Sequence, residues 1–136
     1  MSNNRWEFIT LPKVVDVRGN LSFVEANRQV PFTIQRIYFL YDVPEGASRA
    51  AHAHHRLKQL FIAISGSFDL ALDDGFTTSV ITLNRASKGL LVKELVWRDI
   101  SNFSSNAVCL VLASDFYDES DYIRNYSQFQ SLVSKE

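Results

Sequence analysis

GASRAAHAHHRLKQLFIAISG, residues 46–66, carries all three histidines of the chain within four positions, His52, His54 and His55, and runs on into an apolar segment that ends in glycine. Alternate side chains of a strand share a face, so His52 and His54 are predicted to point one way and His55 the other. The cluster alone leaves three readings open: a surface group without function, a metal site, or a pair of acid/base groups.

Around this stretch the sequence breaks into short runs rich in Val, Ile, Leu, Phe and Tyr. Strands are expected over residues 36–43, 59–65, 68–72, 79–83, 89–92, 95–100 and 107–113. Turn residues separate them: Pro44-Glu45-Gly46, Asp73-Asp74-Gly75 and the Ser/Asn-rich 102–106. Asp74-Gly75 is a hairpin signal, because glycine accepts the positive φ of a tight turn. Near the end the period changes. Tyr122, Tyr126, Phe129 and Val133 recur at helical spacing, which predicts one amphipathic helix with Asp118, Glu119 and Asp121 at its positive end. Many short strands and one terminal helix imply an all-β sandwich or barrel.

With 136 residues the chain fits a single domain, 1–136, large enough to hold a core unaided. Its net charge of −1, without any basic block, argues against nucleic acid as a partner and leaves room for a small anion held by a few arginines. Cys109, the only cysteine, lies in an apolar run and is expected to be a buried, inert thiol. The first five residues lack the apolar core of a leader. No run approaches the length of a membrane span, so no membrane association and a cytoplasmic location are expected.

Spacing narrows the choice at the histidines. Gly46, five residues, His52-Ala53-His54, four residues, Gln59, six residues and Gly66 reproduce the first cupin motif, with Gln59 in the place of its glutamate. Arg98 and Asn102 keep the separation of the histidine and asparagine in the second motif. Cupins bind metal through the two histidines and glutamate of the first motif and the histidine of the second. Here a neutral amide and a permanent cation stand at two of those four positions. A guanidinium has no lone pair to give and its charge repels a metal ion, and two imidazoles alone make a poor site. The expectation is a cupin jelly-roll barrel with a short C-terminal helix, no metal and no cofactor, whose His52 and His54 titrate near neutrality and serve acid–base catalysis.

The sequence resembles the dTDP-4-keto-6-deoxyglucose 3,4-ketoisomerases over nearly its whole length. The likeness shows in Val17-Arg18-Gly19-Asn20-Leu21, in Gln35-Arg36-Ile37-Tyr38-Phe39, in His52-Ala53-His54-His55-Arg56-Leu57-Lys58-Gln59, and above all in residues 110–126, LVLASDFYDESDYIRNY. Relatives commonly carry Arg-Gly before the first histidine, where this chain has Arg49-Ala50-Ala51. The resemblance implies a cytoplasmic homodimer that moves a carbonyl from C4 to C3 of a dTDP-linked keto sugar, in deoxysugar biosynthesis for lipopolysaccharide O-antigen or S-layer glycan. It implies catalytic roles for His52, His54 and Tyr38. Arg18 matches an arginine of members that give the galacto configuration, where some gluco-forming members have tyrosine, and the position of Arg98 varies between His and Arg.

The chemistry requires removal of the C3 proton, an enediolate, and protonation at C4. His54 is slightly favoured as the base, with His52 as proton shuttle and Tyr38 as donor to the enolate oxygen. Arg18, Arg36, Arg49 and Arg98 are candidates for the diphosphate or sugar, and Gln59 for a hydroxyl or an imidazole. Arg56 and Lys58 read as surface charge. Trp6, Phe8 and Phe23 are candidates for covering a partner sheet. Two rivals are a cupin nucleotide-sugar epimerase and a non-catalytic sugar-nucleotide-binding cupin.

Overall fold

Burial alternates residue by residue along Phe68–Asp73 and Trp97–Ser101, as two-layer β architecture requires of strands with one face on a core. The computed structural model describes residues 5–134; residues 1–4, read above as part of a segment without a leader's apolar core, lie outside them. One five-stranded sheet is made of β1 (Trp6–Thr10), β9 (Lys88–Val92), β6 (Gln59–Ser65), β11 (Val108–Ala113) and β4 (Arg36–Leu40), in that spatial order. The other runs β12 (Tyr122–Ile123), β5 (Arg49–His54), β10 (Trp97–Ser101), β7 (Phe68–Asp73) and β8 (Thr78–Leu83). Pairings within both are antiparallel. A small hairpin joins β2 (Lys13–Val14) to β3 (Leu21–Ser22).

The inner faces of the two large sheets share one core, in which Phe61, Leu90 and Val111 meet Phe68, Leu70, Leu72 and Ile100. A second cluster lies on the outer face of the first sheet, where Leu60, Ile62, Leu91 and Leu112 are covered by Leu11, Val30 and Phe32. All seven strands predicted from the sequence are present. Two are trimmed by backbone turns in the left-handed region: Asp42 (φ 54°) follows β4, and Leu95 (φ 58°) precedes β10. The glycines that open and close the histidine motif are explained in the same way. Gly46 has φ 81° and Gly66 φ 64°, and a Cβ on Gly66 would meet the Ser104 hydroxyl at 2.2 Å and the Ala107 backbone at 2.9 Å.

The C-terminal helix corrects the sequence expectation. Residues Glu119–Asp121 form a 3-10 turn, Tyr122 and Ile123 form β12, and α1 spans only Tyr126–Val133. Asn125 caps it, its side chain accepting from the Gln128 N–H at 2.9 Å. Tyr122 falls on the helical period by coincidence, because pairing with His54 across β12 and β5 holds it extended. Asp118, Glu119 and Asp121 are therefore not at the helix start: Asp118 caps the 3-10 turn and Asp121 is buried. The helix lays Phe129 and Val133 over Ala53 and Ile123, and so backs the strand that carries the histidines.

Phe129 is fully buried at the centre of this contact. Phe129→Ala is expected to lower stability by about 3–5 kcal/mol, the usual cost of emptying an aromatic core site, read as a shift in the urea midpoint at an unchanged slope.

Candidate active site

Strand β5 brings the motif to the barrel interior. His52 and His54 share the inner face, with ring centroids 4.7 Å apart and planes nearly perpendicular at 84°. Their Nε2 atoms lie 3.0 Å apart, within hydrogen-bond distance. Tyr122 from β12 packs against both rings, with centroids at 4.8 and 4.4 Å. Behind the pair sits Asp121. Its Oδ2 is 3.1 Å from His54 Nδ1 and accepts the Leu57 N–H at 3.2 Å, while Oδ1 accepts the Arg56 N–H at 2.9 Å.

A second chain of hydrogen bonds starts on β10, beside the histidine strand, and crosses to the other sheet. Arg98 is 1% exposed; its Nε donates to the Val96 carbonyl at 3.1 Å and its Nη1 to Gln59 Oε1. Gln59 Nε2 in turn donates to the Tyr38 hydroxyl at 2.8 Å. The directions follow from chemistry: an arginine only donates, so the Gln59 carbonyl must face it and the amide N–H must face Tyr38. The Tyr38 oxygen is thus an acceptor on that side, and its own proton points elsewhere. Burial raises the Tyr38 pKa against the pull of Arg98, which keeps the phenol protonated.

Burial also decides the charge state of His54. Loss of water, then the electrostatic influence of Arg98, His52, Arg36 and Arg124, depresses its pKa from 6.5 to about 2. Arg98 itself is lowered by burial to about 10 and stays cationic at neutral pH.

A cavity of about 410 Å³ opens beside the histidines. Tyr38, Leu40, His52, Ile100 and Tyr122 line it, with Arg36, Arg49, Arg124 and Tyr117 around them. The guanidinium of Arg36 lies 5.3 Å from the Tyr38 ring centre and 5.7 Å from that of Tyr117, and its Nε is buried without a hydrogen-bond partner. Arg124 pairs with Glu119 at 2.9 Å and covers the Tyr122 ring at 4.3 Å.

Of the residues singled out in the sequence, Tyr38, His52, Arg36 and Arg49 meet at this cavity. His54 does not line it; it stands one layer behind His52, itself only 1% exposed. Gln59 and Arg98 are likewise sealed in, bonded to each other and to Tyr38, rather than presented to a ligand. Arg18 sits 86% exposed beyond β2, paired with Asp16 at 2.9 Å, and is not among the lining residues. Arg56 and Lys58 are at the surface, Arg56 in an ion pair with Asp118. Cys109 is buried, its thiol raised to about 12. Asp121, Arg124, Tyr117 and Tyr122 were not assigned to the site from the sequence, although all belong to the stretch that carries the strongest resemblance.

Known proteins place the chain. The family model described as "FdtA: WxcM-like, C-terminal" matches residues 4–134. This chain belongs to that family. A curated TDP-4-oxo-6-deoxy-alpha-D-glucose-3,4-oxoisomerase of Aneurinibacillus thermoaerophilus is 42% identical over 127 residues, 93% of this chain and 91% of that protein. The WlaRB TDP-quinovose 3,4-ketoisomerase of Campylobacter jejuni superposes with a TM-score of 0.91 at 43% identity, over 95% of this chain and 99% of the other. A mutant of the 3,4-ketoisomerase QdtA of Thermoanaerobacterium thermosaccharolyticum, solved in complex with TDP-4-keto-6-deoxyglucose, gives a TM-score of 0.96 at 34% identity, covering 99% and 98% of the two chains. A 4-keto-6-deoxy sugar epimerase of Streptomyces spheroides shares the fold at 16% identity, with a TM-score of 0.75 over 90% and 69%. The all-β cupin fold and the isomerase class expected from the sequence are borne out.

The depressed His54 pKa has a consequence for stability. Because the unfolded histidine takes up its proton near 6.5 and the folded one resists it, the unfolded state binds more protons as pH falls. This contribution is complete above pH 6.5 and is lost progressively below it. Between neutrality and pH ~5 a loss of about 2 kcal/mol is expected. Urea midpoints across that range measure it, and His54→Gln should flatten the slope.

Proposed function

We propose that the chain converts TDP-4-keto-6-deoxyglucose into the corresponding 3-keto sugar by proton transfer between His52 and the sugar, without a metal. The observation that carries this reading is the cavity that joins an imidazole, His52, to a phenol with a proton to donate, Tyr38. Proton removal from C3 beside the C4 carbonyl gives an enediolate, and fixed donors aimed at the developing charge stabilise it. Tyr38 supplies such a donor. His52, at the cavity wall, is the base in this reading, in place of the slight preference for His54 drawn from the sequence; His54 stands behind it. Passage of the C3 hydroxyl proton to the C4 oxygen, together with reprotonation at C4, completes the shift of the carbonyl.

Arg36 and Arg49 are the diphosphate ligands we propose, with Arg124 and the open face of Tyr117 beside them. Guanidinium groups match phosphate oxygens in pairs, and Arg36 and Arg49 both line the cavity. Gln59 and Arg98 fill the two motif positions that hold metal ligands in other cupins and are committed to each other. Among the described residues, no helix is long and apolar enough to cross a membrane. We place the reaction in the cytoplasm, in the supply of deoxysugars for surface glycans, on the strength of the sequence resemblance.

A homodimer belongs to the same proposal. The outer face of the first sheet leaves Ile37, Phe39 and Ile64 roughly half exposed, at 58, 55 and 48%. Ile37 and Ile64 line an apolar groove of about 550 Å³ whose walls include Ile62, Leu110 and Phe23. An apolar face of this kind is a normal mark of a protein interface. Ile37→Glu is expected to turn a dimer into a monomer in sedimentation; a wild-type chain that sediments as a monomer at micromolar concentration refutes the dimer.

For the activity, incubation with TDP-4-keto-6-deoxyglucose should give a product whose NMR spectrum shows the carbonyl at C3. An inverted centre with the carbonyl still at C4 would make the chain an epimerase. His52→Asn should lower kcat by about 100-fold or more, while chelator treatment of the wild type leaves the rate unchanged. Full activity of the His52 variant would remove the assignment.

A further inference from the structure

The two histidines share a single short contact, Nε2 to Nε2 at 3.0 Å, and one proton must lie in it. Which ring supplies that proton is set from behind. Both oxygens of Asp121 already accept backbone N–H groups, from Arg56 and Leu57, and the Arg56 Nη1 stands 3.6 Å from Oδ1. A carboxyl oxygen that already receives N–H donors serves as an acceptor toward the imidazole as well. The bond at 3.1 Å between Asp121 Oδ2 and His54 Nδ1 then needs its proton on the imidazole.

We propose that Asp121 is a positioning residue that fixes the tautomers of both histidines, holding the His54 proton on Nδ1 and so forcing the His52 proton onto Nε2. Neutral His54 has one ring proton, and once Asp121 claims it the Nε2 lone pair faces His52 and must accept. His52 Nε2 is then the donor, and Nδ1 becomes the basic nitrogen of His52. When His52 takes a proton it becomes an imidazolium whose Nε2–H points along the chain, through His54, to a carboxylate. The positive charge formed during catalysis is thereby stabilised although His54 itself never leaves the neutral state. Burial favours that neutral state for His54. Without Asp121 the His54 proton is free to move to Nε2, which reverses the contact, places the His52 proton on Nδ1 and removes its basic nitrogen.

Asparagine at this position is close in shape and, in one of its two amide orientations, opposite in effect. Its amide nitrogen must face either the Arg56 N–H or the Leu57 N–H together with His54 Nδ1. In the second arrangement it donates to Nδ1 and imposes the reversed tautomer.

The inference rests on the catalytic reading of His52, and its test separates the two. Long-range proton–nitrogen NMR of the imidazoles reports tautomers directly, and the chain has only three histidines, with His55→Gln removing the surface one. In the wild type His54 should show the Nδ1–H pattern and His52 the Nε2–H pattern. Asp121→Asn should shift His54 toward Nε2–H and lower kcat by about 10²–10⁴-fold with KM within about threefold, the signature of a loss confined to the transition state. A wild-type spectrum with His54 protonated on Nε2 overturns the proposal, whether or not the variant folds. So does a folded Asp121→Asn protein in which His54 shows the Nε2–H pattern while kcat stays within about threefold. If instead His52→Asn is fully active while the tautomers are as stated, the catalytic reading fails and the role of Asp121 in fixing them stands.

Discussion

A guanidinium without water has to be answered by the protein, and Arg98 is the point from which most of the site can be derived. An unpaired buried charge is among the most costly groups a fold can contain. Arg98 meets this in part, with a backbone carbonyl, the Gln59 amide oxygen and the face of Phe61, whose ring centre is 6.0 Å away, while its Nη2 is buried without a hydrogen-bond partner. Its demand for acceptors turns Gln59, Gln59 turns the hydroxyl of Tyr38, and its charge helps to keep His54 neutral. One cation thus sets the direction of several hydrogen bonds that it does not itself make. Arginine is suited to this because it cannot reverse its role; a histidine in the same place would have two states.

Two hydrogen-bonded chains converge on the cavity with opposite polarity. One ends in Tyr38, a proton donor; the other starts at a carboxylate and reaches His52. An acid and a base facing one small space is what enolisation of a ketone requires. The fold also keeps the pair apart, since Tyr38 comes from β4 in one sheet and His52 from β5 in the other, so substrate can enter between them. The cupin scaffold keeps its histidines while the other two ligand positions have been given over to hydrogen-bond geometry.

What could be read in the sequence follows the range over which the physics acts. Gly75 was legible because a positive φ is a local demand, and the inward pairing of His52 with His54 because strand alternation is local too. The loss of ligand character at Gln59 and Arg98 was visible from residue type. Their sealing from the cavity was not, since it depends on β10 lying beside β5, with Arg98 opposite His52. Asp121 was taken for a helix-start acid because nothing near it in sequence reveals a histidine 67 residues away. The same error lengthened the helix: Tyr122 fits the period, but a strand partner outranks periodicity. Arg18 shows the converse, a residue marked by resemblance that one chain leaves in solvent.

The contacts that define the site join remote parts of the chain: 21 residues separate Tyr38 from Gln59, 39 separate Gln59 from Arg98, and 67 separate His54 from Asp121. Each closes a long loop, with an entropic cost that falls before any reward. No fragment of this polypeptide can therefore hold a weakened version of the catalyst. Truncation anywhere between Tyr38 and Asp121 removes one arm of the network, and a nascent chain becomes chemically competent only after Asp121 has emerged and docked behind His54.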